Sequence, residues 1–416
     1  MNPYNFATHY KCINCSKEHP LSNDIYVCPE CNGNLDILYN YRMISKKLSK
    51  KILEKRKEPS LFRYHELYPV SGDIEKFNKL RIGFTPLYEP GRLKKILGYN
   101  NFYIKDDTSN PSASFKDRAS IMAIMNASQN GHEMMVAAST GNAASSLACL
   151  SASLGMKNII VVPRSAPRAK ISQLVMFGAN LVMVKGTYDD AFDLSVAITK
   201  KYGLYNRNTG FNPFTREGKK SVSFEIAEQM NWQVPDYVFV PVGDGNIISG
   251  VWKGFRDLFE IGLIKTLPGV VAVQSDKSSA VADAFLEERN IEPVKATTIA
   301  DSISVNRPKD GEAALRSVID SKGFAIKVSD EEILDYQKKL AQHRGIFAEP
   351  SGAASLAGLA RALKKKMIDA GKKSVILVTG SGLKDIDAVM KGMKEPVIIR
   401  PDITDFDKIK EKIITF

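Results

Sequence analysis

A chain of 416 residues is long for a single hydrophobic core, so two or three domains are expected. Its 44% hydrophobic and 25% charged residues are ordinary for a soluble globular protein, and no apolar run approaches the length that spans a membrane. The formal charge of +12 invites a nucleic-acid partner, but the lysines are dispersed on helix faces beside glutamates, as in 329–340, so none is expected.

The first residues show no basic patch followed by an apolar stretch, so no signal peptide is read and the cytoplasm is the default compartment. Four of the five cysteines then follow as two CxxC pairs, Cys12/Cys15 and Cys28/Cys31. Each pair fits a tight knuckle presenting two thiolates to one ion, and two knuckles make a four-sulfur site for a structural zinc ion. Two disulfides are the alternative, which a reducing compartment disfavours. A metal staple supplies what so short a segment lacks in core. The fifth, Cys149, lies on an apolar helix and is read as packing. The basic run 47–57 reads as one solvated helix linking two domains.

From about residue 100, short β-branched runs alternate with amphipathic helices. Strands are expected at 101–105, 134–138, 159–162, 181–184, 237–241, 270–273 and 375–378. Helices are expected at 115–130, 142–154, 189–202 and 351–366. This alternation predicts an α/β protein with parallel sheets covered by helices on both faces. Ligands of such folds bind beyond the carboxyl ends of the strands, so the loops there are where chemistry belongs.

After 134–138 comes Ser139-Thr140-Gly141-Asn142, a polar turn opening a helix, whose backbone N–H groups suit a carboxylate; a plain helix cap is the alternative. After 237–241 comes Gly243-Asp244-Gly245-Asn246, where glycines let backbone N–H groups curl around a phosphate. It does not complete GxGxxG, which argues against a dinucleotide fold. Thr379-Gly-Ser-Gly382 follows the last strand. Ser114-Phe-Lys-Asp-Arg118 precedes an apolar helix, and its Lys116 is a candidate for an imine with a carbonyl cofactor. Glu217-Gly-Lys-Lys220 lacks the Walker pattern, and His9, His19, His65, His132 and His343 do not pair at metal spacing.

The strings 114–118, Ala138-Ser-Thr-Gly-Asn142, Ile346-Phe-Ala-Glu-Pro350 and Val378-Thr-Gly-Ser-Gly-Leu-Lys-Asp385 resemble those of the threonine synthases, within the tryptophan-synthase-β-like pyridoxal-phosphate enzymes. Arg63-Tyr64, Gly83-Phe-Thr-Pro86 and the cysteine ribbon extend the likeness along nearly the whole chain. The resemblance implies a fold-type-II architecture of two open, mostly parallel sheets. It divides the chain into a zinc ribbon (1–40), a linker helix with the first part of the large cofactor domain (41–107), a smaller mobile α/β domain (108–210), and the remaining cofactor domain (211–416). It implies that Lys116 holds pyridoxal 5′-phosphate as a Schiff base and shuttles protons, and that Asn142 bonds the cofactor's 3′-oxygen. Gly243, Asp244, Gly245 and Asn246 would hold its phosphate, and Thr379 would meet its pyridine nitrogen. Ser139, Thr140 and Gly141 would hold the substrate's carboxylate, and Arg216 the substrate's phosphate. The implied reaction converts O-phosphohomoserine and water to threonine and phosphate, in a homodimer.

Several positions depart from that family's pattern. Thr215 stands where an arginine is usual, with Arg216 one residue late; on a helix that is a rotation of roughly 100°. Ala143 replaces a threonine, the 243–246 loop is short, and Asp244 places a carboxylate near a phosphate. Two alternatives stay open: Lys219, Lys220, Arg216 or Lys384 rebuilds the substrate-phosphate site, or the chain is a related enzyme on another amino acid, such as a cysteate-synthase-like replacement on phosphoserine or an ammonia-lyase.

Overall fold

The computed structural model describes residues 4–22, 25–166, 168–390 and 397–410, so the outermost ends of the first and last expected divisions lie outside the described residues. At the amino end β1 (Ala7–Cys12) is flanked by β2 (Glu18–Pro20) and β3 (Leu35–Tyr39), both antiparallel to it. Alternation sends Tyr10, Cys12, Leu35 and Ile37 into the interior, continuous with the main apolar core. The ribbon therefore docks rather than dangles. The Tyr39 hydroxyl donates to Glu217 Oε2 at 2.5 Å, and Lys253 Nζ donates to the Ile37 carbonyl at 2.6 Å.

The basic run is not one continuous helix: it holds the last residue of the helix Tyr41–Lys47 and the short helix Lys50–Lys55. Ser49 adopts extended geometry between them, and its hydroxyl accepts the Ile52 N–H, so it starts a second helix. Ile44 and Leu53 are buried, so these helices lie against the body.

The remaining strands are β4 (Leu87–Tyr88), β5 (Phe102–Asp106), β6 (Met134–Ala138), β7 (Lys157–Pro163), β8 (Asn180–Val184) and β9 (Tyr205–Asn206). They continue with β10 (Tyr237–Pro241), β11 (Gly269–Ser275), β12 (Phe324–Val328) and β13 (Ser374–Val378). One sheet has the order β12-β11-β10-β13-β5-β4 and the other β8-β7-β6-β9. All pairings in both sheets are parallel except β4 with β5. The expected α/β class with two open, mostly parallel sheets is what the chain adopts. Strands β11 and β13 are buried throughout, as sheets covered on both faces require.

Strand order places the functional loops. β10 and β13 are neighbours, and β13 also pairs with β5, so the segments leaving these three strands emerge side by side. In the smaller sheet β6 pairs with β9, which brings the segments after Ala138 and Asn206 together. The helix Lys116–Gln129 packs against Phe214–Lys219, and a Cβ on Gly218 would come 1.8 Å from the Arg118 carbonyl oxygen. Only glycine permits that approach.

Candidate active site

Between the carboxyl ends of the two sheets lies a cavity of about 460 Å³. Its wall brings together Lys116, Ser139, Thr140, Gly141, Asn142, Gly243, Asp244, Gly245, Asn246 and Thr379. Four stretches distant in sequence thus meet at one place.

Lys116 begins the helix Lys116–Gln129, and the residues before it are clamped to the end of β13. The Phe115 N–H donates to the Thr379 carbonyl at 2.9 Å, and the Ser381 N–H to the Ala113 carbonyl at 3.1 Å. The lysine is therefore held beside Thr379 by backbone, not by its own side chain. Burial pushes its amine down to about 8 against the pull of the Glu349 charge, and the Arg207 charge adds to the fall.

Gly141 precedes the helix Asn142–Leu154, and its N–H donates to Ser139 Oγ at 3.2 Å. The Asn142 amide donates to Glu349 Oε1 at 2.9 Å and Ser302 Oγ at 3.2 Å. Burial raises the Glu349 carboxyl above its ordinary range. Gly245 has φ +93° and precedes the long helix Asn246–Glu260. A Cβ there would lie 2.5 Å from the Asp310 carbonyl oxygen, so the turn admits bare backbone only. The Asp244 carboxylate accepts the Lys309 N–H at 3.3 Å, and burial raises its carboxyl.

These residues fit pyridoxal phosphate. A lysine with a depressed amine suits a carbonyl, the glycine turn at a helix start suits a phosphate, and the Thr379 hydroxyl suits a pyridine nitrogen. The four cysteines also fit their expected ion. All are free thiols whose sulfurs lie within 4.8 Å of one another. Cys12 Sγ to Cys31 Sγ is 3.4 Å and Cys15 Sγ to Cys28 Sγ 3.7 Å. Tetrahedral zinc with bonds of about 2.3 Å sets sulfurs about 3.8 Å apart.

Arg216 is the exception among the expected site residues. It is buried away from the cavity wall, donating to Asp310 Oδ1 at 2.5 Å, the Leu35 carbonyl at 3.0 Å and Ser249 Oγ at 3.2 Å. The one-residue displacement turns it toward the ribbon, so its position does not support a role in holding substrate. Thr215, at the family's arginine position, donates to the Asn212 carbonyl at 2.7 Å. Lys220 is likewise turned away, to Asp257 Oδ2 at 2.6 Å, whereas Lys219 lines the cavity.

Sequence reading also passed over Arg207, Ser302 and Lys309 on the wall, and gave no role to Glu349. Arg207 follows β9, two residues long, which offers no legible periodicity. Glu349 had a signal: it stands in the string 346–350, before a helix with proline at its start.

Residues 79–380 match the family described as pyridoxal-phosphate dependent enzyme. The chain is 40% identical over 406 residues to the threonine synthase of Methanocaldococcus jannaschii, covering 97% of this chain and 99% of that protein. The chain belongs to the threonine synthase family of pyridoxal-phosphate-dependent enzymes. A second threonine synthase, from Methanosarcina acetivorans, is 34% identical over 97% of this chain and 98% of its own. Among solved structures, the processed form of threonine deaminase isoform 2 from Solanum lycopersicum aligns with a TM-score of 0.65 at 23% identity, covering 75% of this chain and 87% of that one. Maize serine racemase gives 0.65 at 23% identity, over 75% and 92%. These two likenesses establish the fold-type-II architecture alone.

Proposed function

We propose that this protein is a pyridoxal-phosphate-dependent threonine synthase, a lyase that converts O-phosphohomoserine and water to threonine and phosphate. The observation that carries the reading is the convergence of Lys116, Asn142, the 243–246 turn and Thr379 on one cavity, in a chain similar to threonine synthases over nearly its full length.

When bound, the cofactor supplies an electron sink for the carbanions that proton removal leaves on the substrate. Lys116 binds its carbonyl and, with an amine near 8, takes and returns protons close to neutral pH. Asn142, whose amide donates to Glu349 here, would hold the 3′-oxygen. The N–H groups of 243–246 bind the cofactor phosphate. Thr379 would meet the pyridine nitrogen as a neutral hydroxyl, a partner that leaves such a ring less electron-withdrawing than a carboxylate does. The start of the helix Asn142–Leu154, with Ser139, Thr140 and Gly141, holds the substrate's α-carboxylate and orients it.

The same reading assigns structural zinc to Cys12, Cys15, Cys28 and Cys31, and divides the chain as the sheets suggest: ribbon, smaller 108–210 domain and large cofactor domain. It carries a homodimer, checked by light scattering, and a cytoplasmic location; no described helix is long and apolar enough to cross a membrane. The deciding assay supplies O-phosphohomoserine to the holoenzyme and follows both threonine and inorganic phosphate. Turnover of phosphoserine with O-phosphohomoserine inert would select the replacement-enzyme alternative instead.

A further inference from the structure

The usual arginine is absent at Thr215 and Arg216 points elsewhere, yet the cavity wall carries two cations of an uncommon kind. Arg207 is fully buried just after β9. Its guanidinium donates to Ser120 Oγ at 3.1 Å and Thr209 Oγ1 at 2.8 Å, both neutral hydroxyls. Lys219, also fully buried, donates to Asn246 Oδ1 at 2.5 Å. Among the described residues neither has a carboxylate within ion-pair distance.

Among the described residues Lys384 is half-buried and also lacks a carboxylate partner, donating to Ser145 Oγ at 2.8 Å, but the more deeply buried bases behave differently. The other buried basic side chains, Arg63, Lys105, Arg118, Arg216, Lys220 and Lys253, each meet a carboxylate. A buried charge without a counter-ion is costly. Two such basic groups face one cavity, and burial, together with the charges of Lys116 and Arg207, disfavours the ammonium form of Lys219. A dianionic guest relieves that repulsion.

We propose that Arg207, with Lys219 beside it, is the subsite for the substrate's phosphate, in place of the arginine that Thr215 displaces. The assignment rests on the reading of a phosphorylated amino-acid substrate. In that reaction the bond between the γ-carbon and the phosphate oxygen breaks, both electrons leave with the oxygen, and the new charge is met by the guanidinium and ammonium. Arg207 directly follows the last strand of the smaller sheet and Lys219 stands beside the cofactor-phosphate turn, so the subsite spans both walls of the cavity.

The test titrates holoenzyme with a phosphonate isostere of O-phosphohomoserine and, separately, with norvaline, which has no phosphate, following the cofactor's visible absorption. Arg207→Met is expected to weaken the phosphonate about 100-fold while norvaline and cofactor affinity stay within about threefold. Arg207→Lys recovers part of the loss, keeping charge without the fork, and Lys219→Gln weakens the phosphonate in the same direction. Should Arg207→Met fail to fold, those two variants carry the comparison. Equal weakening of phosphonate and norvaline overturns the proposal, as does unchanged phosphonate binding. So does a loss confined to the cofactor, which would give the cations to its phosphate. If O-phosphohomoserine is inert but another phosphorylated amino acid binds in an Arg207-dependent way, the substrate reading fails and the subsite stands.

Discussion

Replacing Arg216 with leucine removes, among the described residues, the only cation within ion-pair distance of Asp310, whose carboxylate is fully buried. Asp310 supports the 243–246 turn proposed for the cofactor phosphate. Its Oδ2 accepts Asn246 Nδ2 and Ser249 Oγ, each at 2.8 Å, and its N–H donates to the Asp244 carbonyl at 2.9 Å. Removing one partner of a buried pair costs about 3–5 kcal/mol, because the other charge is left without compensation. At roughly 2 °C per kcal/mol for a long chain, the apparent melting temperature should fall by about 6–10 °C. Cofactor affinity should fall with it as the turn loses its support. The double variant Arg216→Leu/Asp310→Asn should recover most of the loss, since no charge is then stranded. Circular dichroism melts at fixed cofactor saturation measure the first effect, and cofactor titration the second. The family pattern at this motif anticipates the reverse: an Arg216 that touches substrate phosphate would lose phosphonate affinity at unchanged melting temperature. That result would refute a structural role for Arg216 as the counter-ion of Asp310.

In the buried cluster at the end of β5, burial works to raise the Glu225 carboxyl, but Arg118 and Lys105 overcome it and hold the group at about 2. A carboxyl depressed in the folded state stabilises above its unfolded value of about 4.3, and that contribution is lost as pH falls toward 2. Glu225→Gln should flatten this acid-side slope, read from urea midpoints between pH 6 and 2. Cofactor uptake by the apo form should accelerate as pH rises through about 8, the value to which Lys116 is pushed, since the neutral amine is the nucleophile. Borohydride reduction followed by peptide mapping should leave the cofactor on Lys116 and none on Lys116→Ala. Gly245→Ala should raise the cofactor dissociation constant by about 5–100-fold, because its Cβ would meet backbone at a φ of +93°. Elemental analysis should find one zinc per chain, lost in Cys28→Ser with a lower melting temperature.

Periodicity is a local property, and where it was strong the chain followed it. The strand Tyr237–Pro241 and the helix Asn142–Leu154 lie where the apolar pattern puts them. The cysteine pairs are equally local, since each knuckle is closed by backbone within a few residues: the Ser16 N–H meets the Cys12 carbonyl, and the Asn32 N–H the Cys28 carbonyl. The sequence also determined the loop motifs, because glycine and hydroxyl residues after a strand have few other uses in a parallel α/β fold. β4 and β9 stayed hidden, since two residues carry no period, and their pairing is made by neighbours distant in sequence.

Direction and neutralisation were decided only by tertiary structure. Arg207, Arg216 and Lys219 are all basic, all buried and lie within one short stretch, so composition and spacing treat them alike. Packing of the helix Phe214–Lys219 between the ribbon and the cavity sends Arg216 to Asp310 and Lys219 to Asn246, while the short pairing of β9 with β6 aims Arg207 at the same space. A charge becomes structural or functional according to whether a carboxylate stands within reach. That is a matter of which elements meet, a relation between segments that no single stretch of sequence contains.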